Sequence, residues 1–184
     1  MHETTNGDPG VHWPAGFSPD DAHGHFEREA LVRTSADRVF ALLTDVSSWP
    51  RWAPEVSEVS IDKLAQIFEV RWHGHRFEVF VGEYEPPRRI GWLGIGAGVR
   101  LYQSWLITAT EEGTRLLTAN VVRGAAPKSL DVLSELWLNH LADMWHAQVA
   151  RVSEGAPRPG ESSPAESSPA ESGSPESGSP QAGE

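Results

Sequence analysis

Five side chains are of the types that could hold or move a proton at the polar end of a bound molecule: Arg71, Tyr84, Tyr102, His140 and Asp143. The demanding chemistry open to such a set is ring closure through an enolate. That reaction needs a donor for the enolate oxygen and a base within about 3 Å of the acidic carbon, so at least two polar groups must converge on one cavity. His140 and Asp143 stand three residues apart in a helical stretch and share a face, an arrangement that ordinary polarity of a helix surface explains equally well. His140, Asp143, Tyr102 and Arg71 are therefore candidates for acid, base or donor, and the sequence assigns a catalytic role to none of them.

His73-Gly74-His75 and His23-x-His25 raise the question of a metal, because neighbouring imidazoles can share an ion. No carboxylate stands in ligand register beside them, and two histidines flanking a hairpin is the plainer reading, so no metal is expected. The run Gly94-Ile95-Gly96-Ala97-Gly98 lacks the lysine and the helix that follow a phosphate loop and reads as a flexible hairpin tip. No cofactor is expected either. The chain holds eight tryptophans. Most should be core, yet indoles around a cavity would also suit a flat polycyclic or isoprenoid ligand.

The formal charge of −11 argues against nucleic acid as a partner, since that affinity rests on Lys and Arg neutralising phosphates. The absence of cysteine removes disulfides, thiol nucleophiles and thiolate metal sites and suits a reducing cytoplasm, the expected location. The first residues lack the basic start and apolar run of an export signal, and no run approaches the ~20 apolar residues of a membrane span, so stable membrane insertion is not expected.

The elements that must position these side chains follow from pattern. Pro127 to Arg151 is the longest helical stretch, about 37 Å if fully helical, with Pro127, Ser129 and Asp131 suited to its start. Leu130, Leu133, Trp137, Leu141, Met144 and Gln148 form one stripe, widened by Leu136, Leu138, Trp145 and Val149. A strand from His25 ends at Ser35, a helix N-cap. A short helix carries Val39, Phe40, Leu42 and Leu43, and a second short turn carries Trp49 and Trp52 between prolines. Six β-rich segments follow from Val56 to Val122, separated by Lys63-Leu64-Ala65, Gly74, Pro86-Pro87, Gly96-Ala97-Gly98 and Glu111-Glu112-Gly113. Connections this short make antiparallel neighbours.

The expected fold is thus α+β, one curved antiparallel sheet wrapped around a long C-terminal helix. Three parts are expected: a flexible lead over 1–22, in which Trp13 and Phe17 are the residues able to dock; one domain over 23–154; and a disordered tail over 155–184. The tail repeats Glu, Ser, Pro, Ala and Gly without a large apolar residue. Walls of a cavity between helix and sheet are expected from Trp72, Tyr102 and Trp105 on the sheet and from Trp137, Leu141 and Met144 on the helix.

SADRVFALLTDVSSWPRWAPEV after the first strand, FEVRWHGHRFEVFVGEYEPPRRIGWLG, the Trp105 strand and EEGTRLLTANVVRG together resemble the START-like, or SRPBCC, superfamily, in particular its polyketide cyclase/dehydrase and lipid-transport branch. The resemblance covers roughly residues 25 to 152. It implies a helix-grip (START/Bet v 1-like) fold whose cavity holds an apolar small molecule of lipid, isoprenoid or polyketide-like kind, with a cyclase or dehydrase as the alternative activity and a protein-binding helper as a further one. Where the branch often has a Thr after the Trp of WLG and a His two residues before the Trp of SW, this chain has Leu93 and Gln103. No protein partner is identifiable from the sequence.

Overall fold

Two tight turns in left-handed backbone set the register that the rest of the molecule follows. In the computed structural model, which describes residues 10–125 and 135–155 and, among these, all side chains but those of 135–138, strand β3 (Ile67–Trp72) returns as β4 (His75–Glu85) through His73 and Gly74, with φ of 51° and 77°. β5 (Arg89–Gly96) returns as β6 (Val99–Thr110) through Ala97 and Gly98, with φ of 50° and 77°. Two consecutive left-handed residues match the twist of the strands they join.

With β1 (Gly24–Val32), β2 (Val56–Val59) and β7 (Gly113–Gly124), these strands form one seven-stranded antiparallel sheet in the order β1-β7-β6-β5-β4-β3-β2. Between β1 and β2 run α1 (Ala36–Thr44) and, after a 3-10 turn at Val46–Ser48, α2 (Trp49–Trp52). Ser35 caps α1 by accepting from the Arg38 N–H at 3.3 Å, satisfying a donor the helix leaves open. The C-terminal helix α3 (Glu135–Ser153) packs on β1 and α1. Element order and sheet are as the sequence predicts. The expected helix start at Pro127 and, but for Gly155, the tail expected over 155–184 lie outside the described residues. No helix among the described residues is long and apolar enough to cross a membrane.

Alternation decides which side chains meet α3. On β6 the inward residues are Val99, Leu101, Gln103, Trp105 and Ile107, and register places Gln103 beside Asn120 and Trp105 beside Thr118 on β7. The opposite face is covered as well. Phe17, only 8% exposed, packs on Tyr102 and Val121, and Trp13 stands edge-on to Tyr102 and to His25. Of the lead expected over 1–22, residues 10–22 are described, and in them Trp13 and Phe17 dock where the outer face of β6 and β7 would otherwise leave apolar surface in water.

The helical stripe is corrected. Among the described side chains of α3, Leu141, Ala142, Trp145, His146, Val149 and Ser153 are buried, while Met144 and Gln148 are half-buried. The buried face lies about a quarter turn from the stripe drawn through Leu141, Met144 and Gln148.

Candidate functional site

The site begins with α2. Proline is tolerated in a first helical turn, so Pro50 lets the chain turn while Trp49 and Trp52 both point into the core. The Trp49 indole N–H donates to the Leu43 carbonyl at 3.2 Å and that of Trp52 to the Ser48 hydroxyl at 2.8 Å, so neither buried polar handle is left unpaired. Trp145 of α3 is the hub of the cluster. Its ring stands 5.9 Å from Trp49, 5.6 Å from Trp52 and 5.9 Å from Trp105, the first two edge-on. Edge-to-face pairs set the positive rim of one ring against the negative face of another.

Between this cluster and the inward face of β3 to β6 lies a cavity of about 60 Å³. Trp49 and Trp145 wall it on the helical side, with Leu141, and Trp72 and Trp92 wall it on the sheet. Gly94 leaves room: a Cβ there would meet the Phe77 ring at 3.6 Å and the Leu101 carbonyl at 3.9 Å. Gln103 is the one residue with a polar side chain among the described lining residues. It is 3% exposed, and its amide makes no hydrogen bond among the described residues.

Beyond Gln103, away from the cavity, the inward face turns polar. The Asn120 Oδ1 and the Trp105 indole N–H are buried without a hydrogen-bond partner among the described residues. His146 reaches down from α3, its Nε2 2.6 Å from the Thr118 hydroxyl and its ring 5.5 Å from that of Trp105. Burial pushes the His146 imidazolium down to about 4; Asp143 pulls the other way, and Arg28 adds to the lowering. Arg28 on β1 grips Asp143 with two bonds of 2.5 and 2.7 Å, and this bond holds the Asp143 carboxyl below its ordinary value.

The structure separates most of the residues expected at the site. Trp72 and Leu141 line the cavity. Trp105 faces inward but lies deeper, under Trp145 and His146, and is fully buried core. Met144 packs against the core without reaching the cavity. The side chain of Trp137 lies outside the described residues.

Tyr102 is corrected outright. It belongs to the outer face, with Phe17 and Leu93, because it sits one residue from both Leu101 and Gln103 in a strand of period two. Its phenol lies over Gly91, where a Cβ would come within 2.5 Å of the hydroxyl. Burial, and then the Glu83 carboxylate, push Tyr102 up to about 12, so it is a poor acid.

The other candidates for acid or base do not converge either. Arg71 points outward to Glu58 and the Gly74 carbonyl at 3.4 and 3.3 Å. His140 is on the exposed side of α3, and Asp143 is held by Arg28. Tyr84 lies against Phe40 on the rim of a separate groove beside Leu64 and Val81. His73 sits in its hairpin turn 3.7 Å from Glu55, and His23 accepts from the Gly124 N–H at 2.9 Å. Among the described residues no group of three or more His, Asp or Glu could hold a metal ion.

Several residues at or near the site, Trp49, Gln103 and His146 among them, are absent from the expected walls. Trp49 lies in a Pro-bounded turn with no periodicity to orient it, although its aromatic type in so short an element is itself a signal. His146 carries no motif. Gln103 interrupts the apolar run from Leu101 to Ile107, and that interruption is readable.

The family model described as polyketide cyclase/dehydrase and lipid transport matches residues 23–137. A search of curated proteins returns no match. Among solved structures the chain is similar to a hypothetical protein of Helicobacter pylori, with a TM-score of 0.64 at 18% identity, covering 83% of this chain and 99% of that one. It is similar to a START superfamily protein of Mycobacterium smegmatis, with a TM-score of 0.57 at 19% identity over 70% of this chain and 98% of that one. It is also similar to the di-domain ARO/CYC protein StfQ of the steffimycin biosynthetic pathway, with a TM-score of 0.55 at 16% identity over 71% of this chain and 49% of that one. At these identities the likeness is one of fold.

Proposed function

Since the chain belongs to the polyketide cyclase/dehydrase and lipid transport family, we propose that it binds a flat hydrophobic small molecule, of lipid, isoprenoid or polyketide-like class, between α3 and the inward face of the sheet. The observation that carries this reading is the cavity walled by Trp49, Trp72, Trp92 and Trp145, with Gln103 the one polar residue among the described lining. Rigid aromatic walls gain contact area with a flat ligand at small entropic cost. At about 60 Å³ the cavity is smaller than the roughly 300–1,000 Å³ of ordinary ligand sites, so the ligand must part its walls. The described part of α3 is seated on β1 and α1 and meets β6 through the rings of Trp145 and His146 on Trp105, so a ligand that parts the walls shifts Leu141 and Trp145 against the sheet.

Native mass spectrometry of freshly purified protein, with extraction of any bound molecule, identifies the ligand class. A thermal-shift panel of fatty acids, sterols, isoprenoids and aromatic polyketides then tests it. A ligand at a hundred times its Kd stabilises the fold by about 2.7 kcal/mol, and tryptophan emission should change in parallel. A panel that moves neither melting nor fluorescence overturns the reading and favours a protein-binding helper.

The likeness to a di-domain ARO/CYC protein favours a second reading, cyclisation of a polyketide-like substrate. Against it stands the scatter of Tyr102, Arg71, His140 and Asp143, since an enolate needs two polar groups at one place. Ring formation from a poly-β-ketone on incubation with the protein would establish it.

A further inference from the structure

Gln103, Asn120 and Trp105 form a row of unmet polar groups on an otherwise apolar inward face. Gln103 and Asn120 are direct cross-strand neighbours, and Trp105 follows Gln103 two residues on along the same face. The three are 3%, 1% and 0% exposed. Groups so deeply buried ordinarily have partners, because an unmet donor or acceptor keeps its full desolvation cost. Here the Asn120 Oδ1, the Trp105 N–H and the Gln103 amide have none among the described residues, and Gln103 is the one that faces the cavity.

We propose that this row, with Gln103 at the cavity and Asn120 and Trp105 behind it, is a recognition subsite for an uncharged oxygen of the ligand, a hydroxyl or ketone, and that it refuses a carboxylate. This rests on the binding reading above. The chemistry follows from what the groups can offer. The indole N–H can only donate, whereas each carboxamide offers a donor or an acceptor according to which end it presents. A hydroxyl can meet either end of the Gln103 carboxamide, and a ketone oxygen can accept from its N–H. A carboxylate would leave water for a wall with no cation among its described residues, since the nearby Arg28 is engaged with Asp143. The subsite therefore selects sterol-like, prenol-like or phenolic molecules over fatty acids.

The test uses the full chain and three probes on one ring system: 2-naphthol, 2-methylnaphthalene and 2-naphthoate, titrated calorimetrically into wild type and into Gln103→Leu. Leucine is close in size to glutamine and apolar, so the cavity wall is retained, and far-ultraviolet circular dichroism with a melting curve establishes that the variant folds. Should it fail to fold, Gln103→Met replaces it.

In wild type, 2-naphthol should bind roughly 3- to 10-fold tighter than 2-methylnaphthalene, the gain of one net neutral hydrogen bond, and 2-naphthoate weakest. In the variant the advantage of the naphthol should vanish while 2-methylnaphthalene binds at least as well. Binding of 2-methylnaphthalene without any naphthol preference in wild type, or a preference that survives Gln103→Leu, overturns the subsite and leaves the binding reading standing. Tightest binding by 2-naphthoate overturns it too. If no probe binds wild type, the subsite falls, while the binding reading is decided by the wider panel above.

Discussion

His146 makes the stability of this protein depend on pH between about 6.5 and 4. Its imidazole is 6% exposed, bonded to Thr118 and packed on Trp105, and burial lowers its value from 6.5 to about 4. In the unfolded chain the same group takes up a proton as the pH falls through 6.5, whereas in the folded protein it does so only near 4. Between those values the unfolded state binds more protons, so stability must fall on acidification; the contribution is fully present above 6.5 and is lost progressively down to about 4. From pH 7 to pH 5 the loss from this one group comes to about 2 kcal/mol, and over the whole window to about 3 kcal/mol. Urea unfolding followed by circular dichroism at pH 7, 6 and 5 reads it as a fall of roughly 1 M in midpoint. His146→Gln retains a hydrogen-bonding end for Thr118 but does not titrate, so its stability should fall by about 2 kcal/mol less than wild type over the same range. The comparison removes every other titrating group. Asp143, held low by Arg28, acts in the same direction but only below the ordinary carboxylate range, outside this window. Equal slopes in the two proteins, or an imidazole resonance of His146 titrating near 6.5, would refute the argument.

Gly94→Ala should fold with a melting temperature equal to or above that of wild type, because the new methyl meets Phe77 and Leu101 at ordinary contact distances of 3.6 and 3.9 Å, while any cavity ligand should bind more weakly in calorimetry. Gly96→Ala serves as the contrast: its Cβ would fall 2.3 Å from the Arg76 carbonyl, so that variant should melt well below wild type. Phe17→Ala should cost about 3 kcal/mol in urea unfolding through exposure of Tyr102 and Val121, with no loss of ligand affinity, since the cavity lies on the other face of the sheet. An unchanged midpoint would mean that residues 10–22 add nothing to the fold.

What could be read from the sequence was local. The His73-Gly74 and Ala97-Gly98 turns, Ser35 as a cap and the short connections are each decided by a few adjacent residues, and from these the element order and the single antiparallel sheet follow. The side chains at the cavity depend on contacts distant in sequence. Trp49 meets Trp145 only once α2 has folded over the sheet, and nothing in the four residues of α2 fixes which way an indole points. The face of α3 is hard to read for a related reason: apolar residues surround much of that helix, and its seating on β1 and α1, through the Arg28–Asp143 pair and the burial of His146, turns Met144 toward the side.

Tyr102 and Trp105 show where the alternation rule loses its force. Both were expected at one wall, yet they differ by three in a strand of period two and cannot share a face. The run from Leu101 to Ile107 is largely apolar at both parities because β6 is covered twice, by α3 on one face and by Trp13 and Phe17 on the other. In a strand buried on both sides the apolar residues cannot reveal which face they serve. The polar interruptions can. Ser104 is small and buried on the outer face, whereas Gln103 projects a carboxamide inward to the cavity, beside Asn120. An amide retained there without a partner costs stability at an otherwise apolar wall, and a ligand oxygen that meets it would recover that cost only in the bound state. The same desolvation that weakens the empty site thus sharpens its choice between a hydroxylated ligand and a hydrocarbon.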